Sequence, residues 1–275
     1  MKLLLPTFLI LFCFSCQDAT DPLDSRKVNF PTHLEKVSQV PTKENVWIFI
    51  LAGQSNMAGR GLVAPEDTLS HLRILALDKL DQLIYAKEPL HHYEPKLQGL
   101  DCGMAFARKL VRNSPDSISI LMVPTAVGGS SVEQWLNDDV HRGVKLLSNF
   151  RSKARSVADL GVIKAILWHQ GESNAHPDKL PTYGVKLDSL IGIFREAVGN
   201  DTLPILLGEL PAFPKNYDNR QAVNGIIHGY VQMDDWAEII YTQDLKHKGD
   251  STHFDAAGQR KMGERFADVY LDMLE

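Results

Sequence analysis

Residues 46–52 read VWIFILA and run directly into GQSNMAGRG at 53–61, and this stretch decides the fold. An unbroken apolar run of this length is typical of a parallel strand that is buried on both faces. Ligands in open α/β sheets bind beyond the carboxyl ends of such strands. The sequence therefore predicts an α/β domain in which Ser55 follows a buried strand and lies at the functional edge of the sheet.

Similar apolar runs return four more times and alternate with amphipathic stretches. Further strands are predicted at 118–124, 163–168, 204–210 and 238–242, with helices at 104–112, 144–159, 183–198, 218–236 and 256–274. This alternation predicts one α/β domain with a five-stranded parallel sheet covered by helices on both faces. The stretch 59–100 is less regular, and we expect loops and short elements there, over the top of the sheet.

The composition fits one globular enzyme domain, with 44% of the 275 residues hydrophobic and 23% charged. A chain of this length buries a sizeable core without disulfides or metals. The formal net charge is -5 and the basic residues are spread along the chain, so the sequence lacks the basic footprint of a nucleic-acid-binding protein. Cys102 is the one cysteine beyond the N-terminal segment, which excludes a disulfide within the domain.

The first 16 residues, MKLLLPTFLILFCFSC, have the pattern of an export signal. One positive charge at Lys2 precedes an apolar run that is too short to span a bilayer as a helix. The small residue Ser15 before Cys16 resembles a bacterial lipoprotein signal, in which Cys16 carries the lipid and becomes the first mature residue. Ordinary signal cleavage, which would give a soluble exported enzyme, is the alternative.

The predicted organisation follows from this signal. Residues 1–16 would form the signal peptide, 17–44 would form a linker or irregular lead-in, and 45–275 would form the enzyme domain. We expect an exported protein that is anchored in the bacterial cell envelope by its lipid and has no other contact with the membrane.

Polar residues follow every predicted strand at its carboxyl end. They lie at 53–56, 128–131 and 169–174, then at Glu209, and finally at Asp244, His247, Asp250 and His253. Because the carboxyl ends of parallel strands meet at one edge of a sheet, we expect these residues to gather at a single site.

Three of these residues have the chemistry of nucleophilic catalysis. A serine hydroxyl such as that of Ser55 becomes a nucleophile when a neighbouring base accepts its proton. Asp250 and His253 are three residues apart, a spacing that places both on one side of a turn, where the carboxylate can orient the imidazole. Gly128 and Gly129 allow a backbone N–H to approach a reacting oxygen closely, and Gln170 offers a side-chain amide.

Four segments together resemble the SGNH hydrolases, in the form used by the sialate O-acetylesterase-like carbohydrate esterases. They occur in that family's order and read GQSNMAGRG at 53–61, GGSSVEQW at 128–135, WHQGES at 168–173 and DSTH at 250–253. The other large class of serine esterases places its nucleophile in G-x-S-x-G, and here Met57 occupies the position of the second glycine.

The resemblance implies a flavodoxin-like three-layer α/β/α sandwich and a serine esterase that removes O-acetyl groups from carbohydrates such as acetylated sialic acid or plant and algal polysaccharides. In that reaction Ser55 would be the nucleophile, His253 the general base and Asp250 its orienting acid. The expected partner is an acetylated carbohydrate.

The resemblance also implies an oxyanion hole. Its donors would be the backbone N–H groups of Ser55 and Gly129 (or Gly128) and the side chain of Gln170. The sequence leaves open whether Gln170 or Glu172 faces the site. The candidate sugar contacts are Gln54, Arg60, Glu172 and Trp135.

Three other functions fit parts of the sequence. A non-catalytic carbohydrate-binding lipoprotein would not need the intact triad, and a lipase or lysophospholipase would need a long apolar acyl-binding stretch that the sequence does not offer. Metal-dependent hydrolysis is suggested by His91-His92 and by the acidic and histidine residues in 244–253. Neither group has the spacing of a catalytic zinc site, so we expect no metal or other cofactor.

Overall fold

The apolar run at 46–52 forms the central strand of a seven-stranded sheet. The computed structural model describes residues 25–274, so the predicted signal with Cys16 lies outside the described residues. The strands are β1 Val46–Gly53, β2 Ile74–Leu77, β3 Leu83–Tyr85, β4 Ser119–Pro124, β5 Val140–His141, β6 Val144–Lys145, β7 Val162–His169, β8 Ile205–Gly208 and β9 Ala237–Ile240.

The order of strands across the main sheet is β3-β2-β4-β1-β7-β8-β9, and β5 and β6 form a separate two-stranded hairpin. β1 pairs in parallel with both β4 and β7, and parallel pairing continues outward to β2 and β9. β3 pairs antiparallel to β2 at one edge. The carboxyl ends of β1, β4, β7, β8 and β9 therefore lie along one edge of the sheet.

Helices cover both faces of the sheet. They are α1 Ser55–Ala58, α2 Gly103–Arg112, α3 Val132–Leu136, α4 Leu146–Val157, α5 Leu180–Val198, α6 Tyr217–Val231 and α7 Ala256–Asp272. Alternate residues of β1 enter two separate cores: Ile48 and Ile50 pack with α3 to α6, while Phe49 and Leu51 pack with α2 and α7. The result is a three-layer α/β/α arrangement. Within 25–274, no helix has both the length and the apolarity to cross a membrane.

The predicted number of strands is wrong, because the sheet has seven strands and its outermost strand is antiparallel. All five predicted strands are present, and β2 and β3 add to them from the stretch 59–100, where loops and short elements were expected. β2 has four residues and β3 has three, which is too short for a periodic pattern to stand out.

Part of the predicted lead-in covers the edge of the sheet. Lys36 forms an antiparallel bridge with Ile84 of β3. The Val37 N–H donates to the Leu83 carbonyl at 3.1 Å, and the Tyr85 N–H donates to the Glu35 carbonyl at 2.9 Å. These bonds satisfy backbone groups that an edge strand otherwise leaves open.

Helices α2 and α7 pack at unusually close range, and their contact positions the segment that carries His253. A Cβ atom on Gly263 of α7 would lie 2.2 Å from the Cys102 carbonyl oxygen at the start of α2. α7 begins at Ala256, where the Asp255 side chain accepts the Gly258 N–H at 2.7 Å. The docking of α7 therefore fixes the loop that immediately precedes it.

Gly263→Ala should lower the free energy of unfolding by about 1–3 kcal/mol, because the helices must separate to admit the methyl group. The matched control is Gly192→Ala in α5, where an added Cβ meets nothing within 4 Å. That change should raise stability by about 0.5–1 kcal/mol through helix propensity. Urea unfolding monitored by circular dichroism measures both, and effects of the same sign and size would contradict the close packing.

Candidate active site

Ser55 stands at the carboxyl end of β1, as the first residue of the short helix α1. The preceding turn needs a glycine, because Gly53 has φ +134° and a Cβ there would lie 2.2 Å from the His169 carbonyl oxygen of β7. The Gln54 N–H donates to that same carbonyl at 2.9 Å. The tight β1–β7 contact thus places the Ser55 side chain in a cavity at the edge of the sheet.

The structure brings Ser55, His253 and Asp250 together in one line of hydrogen bonds. Nε2 of His253 lies 3.0 Å from Oγ of Ser55, and Nδ1 of His253 lies 2.7 Å from Oδ2 of Asp250. A proton on Nδ1 is held by the carboxylate, which leaves the Nε2 lone pair free to accept the hydroxyl proton. The arrangement can activate Ser55 as a nucleophile.

Asp250 is held as a carboxylate by its neighbours. Its partial burial alone would raise its pKa, but the backbone N–H and ring of His253 and the N–H of Thr252 donate hydrogen bonds to it. These bonds outweigh burial and keep the pKa of Asp250 well below its usual range. The group is therefore negatively charged at neutral pH, where it can orient the imidazole and balance an imidazolium.

Asn56, whose role the sequence analysis missed, ties three distant segments together beneath the triad. It is fully buried, and its Nδ2 donates to Glu172 Oε1 at 2.6 Å and to the Thr252 carbonyl at 3.1 Å. Its Oδ1 accepts the Phe254 N–H at 3.1 Å. The signal was present in the sequence, because Asn56 belongs to the motif at 53–61.

The backbone N–H groups of Ser55 and Gly129 are free to donate, whereas the N–H of Gly128 is not. The Gly128 N–H donates to Glu94 Oε2 at 2.7 Å, so Gly129 is the available donor of the pair. No acceptor in the described part of the chain takes the Gly129 N–H. The Ser55 N–H belongs to the first turn of α1 and has no acceptor within that helix.

The structure turns Gln170 away from the cavity, contrary to its predicted place in the oxyanion hole. Its side chain is fully buried, and Nε2 donates to Asn174 Oδ1 at 2.7 Å, to the Ser130 carbonyl at 3.2 Å and to Gln54 Oε1 at 3.3 Å. Its Oε1 accepts from the Tyr183 hydroxyl. Of the two alternatives left open by the sequence, Glu172 lines the cavity and Gln170 holds the loop behind it.

Three of the four candidate sugar contacts line the cavity, and the fourth is buried in the core. Gln54, Arg60 and Glu172 line the cavity. Trp135 does not reach it, because its side chain is fully buried against Trp168 and Phe194 of the core and its Nε1 donates to Ser130 Oγ at 2.9 Å. The prediction for Trp135 is therefore wrong: a tryptophan near a motif was buried rather than presented to solvent.

The cavity has a volume of about 390 Å³, within the usual range for small-molecule sites, and is strongly basic. Two carboxylates, Glu172 and Asp250, line it with His253. Against them stand six cationic side chains, those of Arg26, Arg60, Arg142, Lys215, Arg220 and Lys248. Glu94 lies behind this lining and accepts hydrogen bonds from both Arg60 and Arg142.

Arg220 differs from the other cations because it is buried without an ion pair. The residue is 3% exposed, and within 25–274 no carboxylate oxygen lies within 4.0 Å of its guanidinium nitrogens. Its nearest acceptor is the Ser251 carbonyl, at 3.5 Å, and its guanidinium lies over the Phe213 ring. Burial lowers the pKa of Arg220, while the charges of Glu172 and Asp250 act in the opposite direction. The site can therefore receive an anionic group from a ligand.

Glu133 supports the loop 170–174 from behind. Its carboxylate accepts both a bond from Asn174 Nδ2, at 2.8 Å, and one from Lys186 Nζ, also at 2.8 Å. Burial alone would raise its pKa, but these two bonds outweigh burial and lower the pKa of Glu133 to about 2. The charged form is thus the one that stabilises the loop.

Comparison with known proteins shows that this chain is similar to carbohydrate esterases. The profile of a family described as "Carbohydrate esterase, sialic acid-specific acetylesterase" matches residues 45–272. A probable carbohydrate esterase of Arabidopsis thaliana is 31% identical over 244 residues, which cover 82% of this chain and 90% of the relative. The X-ray structure of that plant protein has a TM-score of 0.73 and 29% identity, and the match covers 83% of this chain and 98% of the other.

Two more distant structures confirm the α/β fold with its parallel sheet flanked by helices. NanS has a TM-score of 0.68 at 18% identity, over 85% of this chain and 98% of its own. A carbohydrate acetylesterase from Xanthomonas citri has a TM-score of 0.58 at 20% identity, over 81% of this chain and 54% of its own.

The stability of the protein should fall as the pH drops from about 4.5 to about 2, in part because Glu133 loses its charge. The folded pKa lies below the unfolded one, so this contribution is complete above pH 4.5 and disappears as protonation proceeds. Glu133→Gln should show a smaller acid-dependent loss in urea unfolding between pH 2 and pH 6. Glu196→Gln, an exposed change on the same helix as Lys186, should follow wild type. Parallel curves for all three proteins would contradict the role of Glu133.

Proposed function

The chain belongs to the carbohydrate esterase family of sialic acid-specific acetylesterases, and from this we propose that it removes O-acetyl groups from a carbohydrate through an acetyl-Ser55 intermediate. The observation that carries the proposal is the hydrogen-bonded line from Ser55 through His253 to Asp250. It opens into a cavity whose volume of about 390 Å³ suits one sugar unit. Export through residues 1–16 and lipid attachment at Cys16 stay predictions from the sequence.

The proposed reaction has two halves, acetylation of Ser55 and hydrolysis of the acetyl-Ser55 ester. In each half His253 first accepts a proton and then returns it. Nε2 of His253 takes the hydroxyl proton as Oγ of Ser55 attacks the acetyl carbonyl carbon. The N–H groups of Ser55 and Gly129 donate to the oxygen that becomes negative. As the ester bond breaks, His253 returns the proton to the sugar oxygen. Water then attacks the acetyl-Ser55 ester in the same way and releases acetate.

The charge around the triad favours an acidic sugar over a neutral one. Arg220 is buried beside the triad and lacks a carboxylate partner within the described residues. Leaving a buried charge unpaired is costly, and a ligand carboxylate would supply the missing anion. We infer that the natural substrate carries a carboxylate on the acetylated sugar, as acetylated sialic acid does, and that neutral acetylated xylan is a poorer substrate.

Ser55→Ala should reduce the release of acetate from acetylated sugars and from small chromogenic acetyl esters by about 10³-fold or more, with no change in folding. Ser189→Ala, an exposed serine on α5, is the control and should match wild type. Acetate release is measured enzymatically on the chain from residue 17. A wild-type protein that binds acetylated sugars and hydrolyses none would instead support the carbohydrate-binding alternative.

Arg220→Met should raise the KM for acidic acetylated sugars by about 10- to 100-fold, the amount expected from a lost hydrogen bond to a charged group. On a neutral chromogenic acetyl ester, kcat/KM should stay within about twofold of wild type, which provides the internal control because that ester makes no contact with the charge. Loss of activity to the same degree on both substrates would contradict a carboxylate-binding role and would indicate a distorted triad.

A further inference from the structure

The loop that follows β4 supplies the N–H of Gly129 to the oxyanion, and the peptide unit that carries this N–H lies between two glycines. Glycines have no Cβ to restrict rotation, so this unit can point either its N–H or its carbonyl oxygen into the cavity. Only the N–H stabilises a developing negative charge, because a carbonyl oxygen in its place would repel that charge. We propose that His141 is a positioning residue that holds the Gly128–Gly129 peptide in the orientation that the reaction needs. This inference rests on the proposed esterase function.

The first support is a hydrogen bond from the β5–β6 hairpin to the carbonyl side of this peptide. Nε2 of His141 lies 2.9 Å from the carbonyl oxygen of Gly128. In a trans peptide, the carbonyl oxygen and the N–H of the next residue point in opposite directions. A side chain that holds the Gly128 carbonyl on one side therefore fixes the Gly129 N–H on the other. Gly129 lines the cavity together with Ser55.

The second support is that a neighbouring amide sets the tautomer of His141. The Ser131 N–H donates to Oε1 of Gln134 at 2.9 Å, so the Gln134 amide presents its NH₂ group to Nδ1 of His141, 3.2 Å away. Nδ1 is then the acceptor, and the proton of the neutral ring lies on Nε2. His141 therefore faces the Gly128 carbonyl as a hydrogen-bond donor.

The third support is that side chains occupy all but one of the backbone polar groups of the two glycines. Glu94 Oε2 accepts the Gly128 N–H at 2.7 Å, His141 binds the Gly128 carbonyl, and Ser173 Oγ donates to the Gly129 carbonyl at 3.0 Å. The remaining group is the Gly129 N–H, which has no acceptor within residues 25–274. The loop is therefore held so that this one donor is left for a ligand.

Two consecutive residues of the hairpin hold the same glycine. His141 binds the Gly128 carbonyl directly, and Arg142 donates to Glu94, which in turn accepts the Gly128 N–H. Arg142 has φ +49°, so the chain turns sharply directly after His141. The small β5–β6 hairpin, which lies outside the main sheet, thus acts on the catalytic site through Gly128. A donor held in place in this way needs no reorientation during the reaction.

His141→Phe tests the positioning role, because it keeps an aromatic ring and removes the donor to the Gly128 carbonyl. We expect kcat on a small neutral chromogenic acetyl ester to fall by about 10- to 100-fold, with KM changed less than about threefold. His141→Gln, whose side-chain NH₂ group can take the place of the ring Nε2–H, should restore kcat to within about fivefold of wild type. Val140→Thr, an exposed change in the same strand, is the control and should match wild type.

Urea unfolding of the same variants separates positioning from support of the fold. If His141 only stabilised the hairpin, His141→Phe would lower the free energy of unfolding and keep the kcat of wild type, which would overturn the proposal. Equal losses of kcat in His141→Phe and His141→Gln would also overturn it, because the two variants differ in the donor to the carbonyl.

The crystal structure of the wild-type protein with a methylphosphonate ester bound covalently to Ser55 tests the geometry without any substitution. We expect the adduct oxygen within about 3.2 Å of Gly129 N, and His141 Nε2 still bonded to the Gly128 carbonyl. A rotated peptide that points the Gly128 carbonyl oxygen into the cavity would contradict the role of His141. A wild-type protein that hydrolyses no acetyl ester and does not react with the phosphonate would instead remove the proposed function, and the role of His141 with it.

Discussion

One buried amide holds together the segments that carry Ser55, His253 and Asp250. Asn56 donates to Glu172 and to the Thr252 carbonyl and accepts from the Phe254 N–H, so it joins the end of β1 to a loop almost 200 positions later in the chain. If a fully buried amide loses one hydrogen-bond partner, its unpaired N–H or carbonyl group bears the full cost of desolvation. The hydrogen bonds of Asn56 are therefore expected to form together or to be lost together. Asn56 thereby holds the segment that carries His253 against the end of β1, where Nε2 of His253 lies 3.0 Å from Oγ of Ser55.

The sequence predicted those parts of the fold and site that depend on long or local patterns. Five strands and the triad follow from apolar runs and from the polar residues at their ends. β2 and β3 could not be predicted in this way, because a strand of three or four residues at a sheet edge shows no periodic pattern and depends on its neighbours for pairing. Trp135 and Gln170 were misplaced for another reason: a motif tells which residues are near a site, and core packing decides which way they turn.

The basic cavity shows how a local field can oppose the overall charge. The chain carries a formal net charge of -5, yet the side chains around the triad are mostly cationic. They come from separate elements: Arg60 follows α1, Arg142 lies in the β5–β6 hairpin and Arg220 lies in α6. No local stretch of sequence is rich in these charges, so the concentration of positive potential arises from topology alone. Low-dielectric walls focus such a field on an incoming anion.

The bridge between Lys36 and β3 also bears on where the folded unit begins. Family similarity starts at residue 45, and a boundary drawn there would discard the segment whose backbone caps the outermost strand. The N–H of Tyr85 and the carbonyl of Leu83 would then face water with free pairing capacity. A protein shortened in this way would expose an edge strand that can pair with the same strand of a second molecule and promote aggregation. Recombinant versions are therefore best started upstream of Glu35.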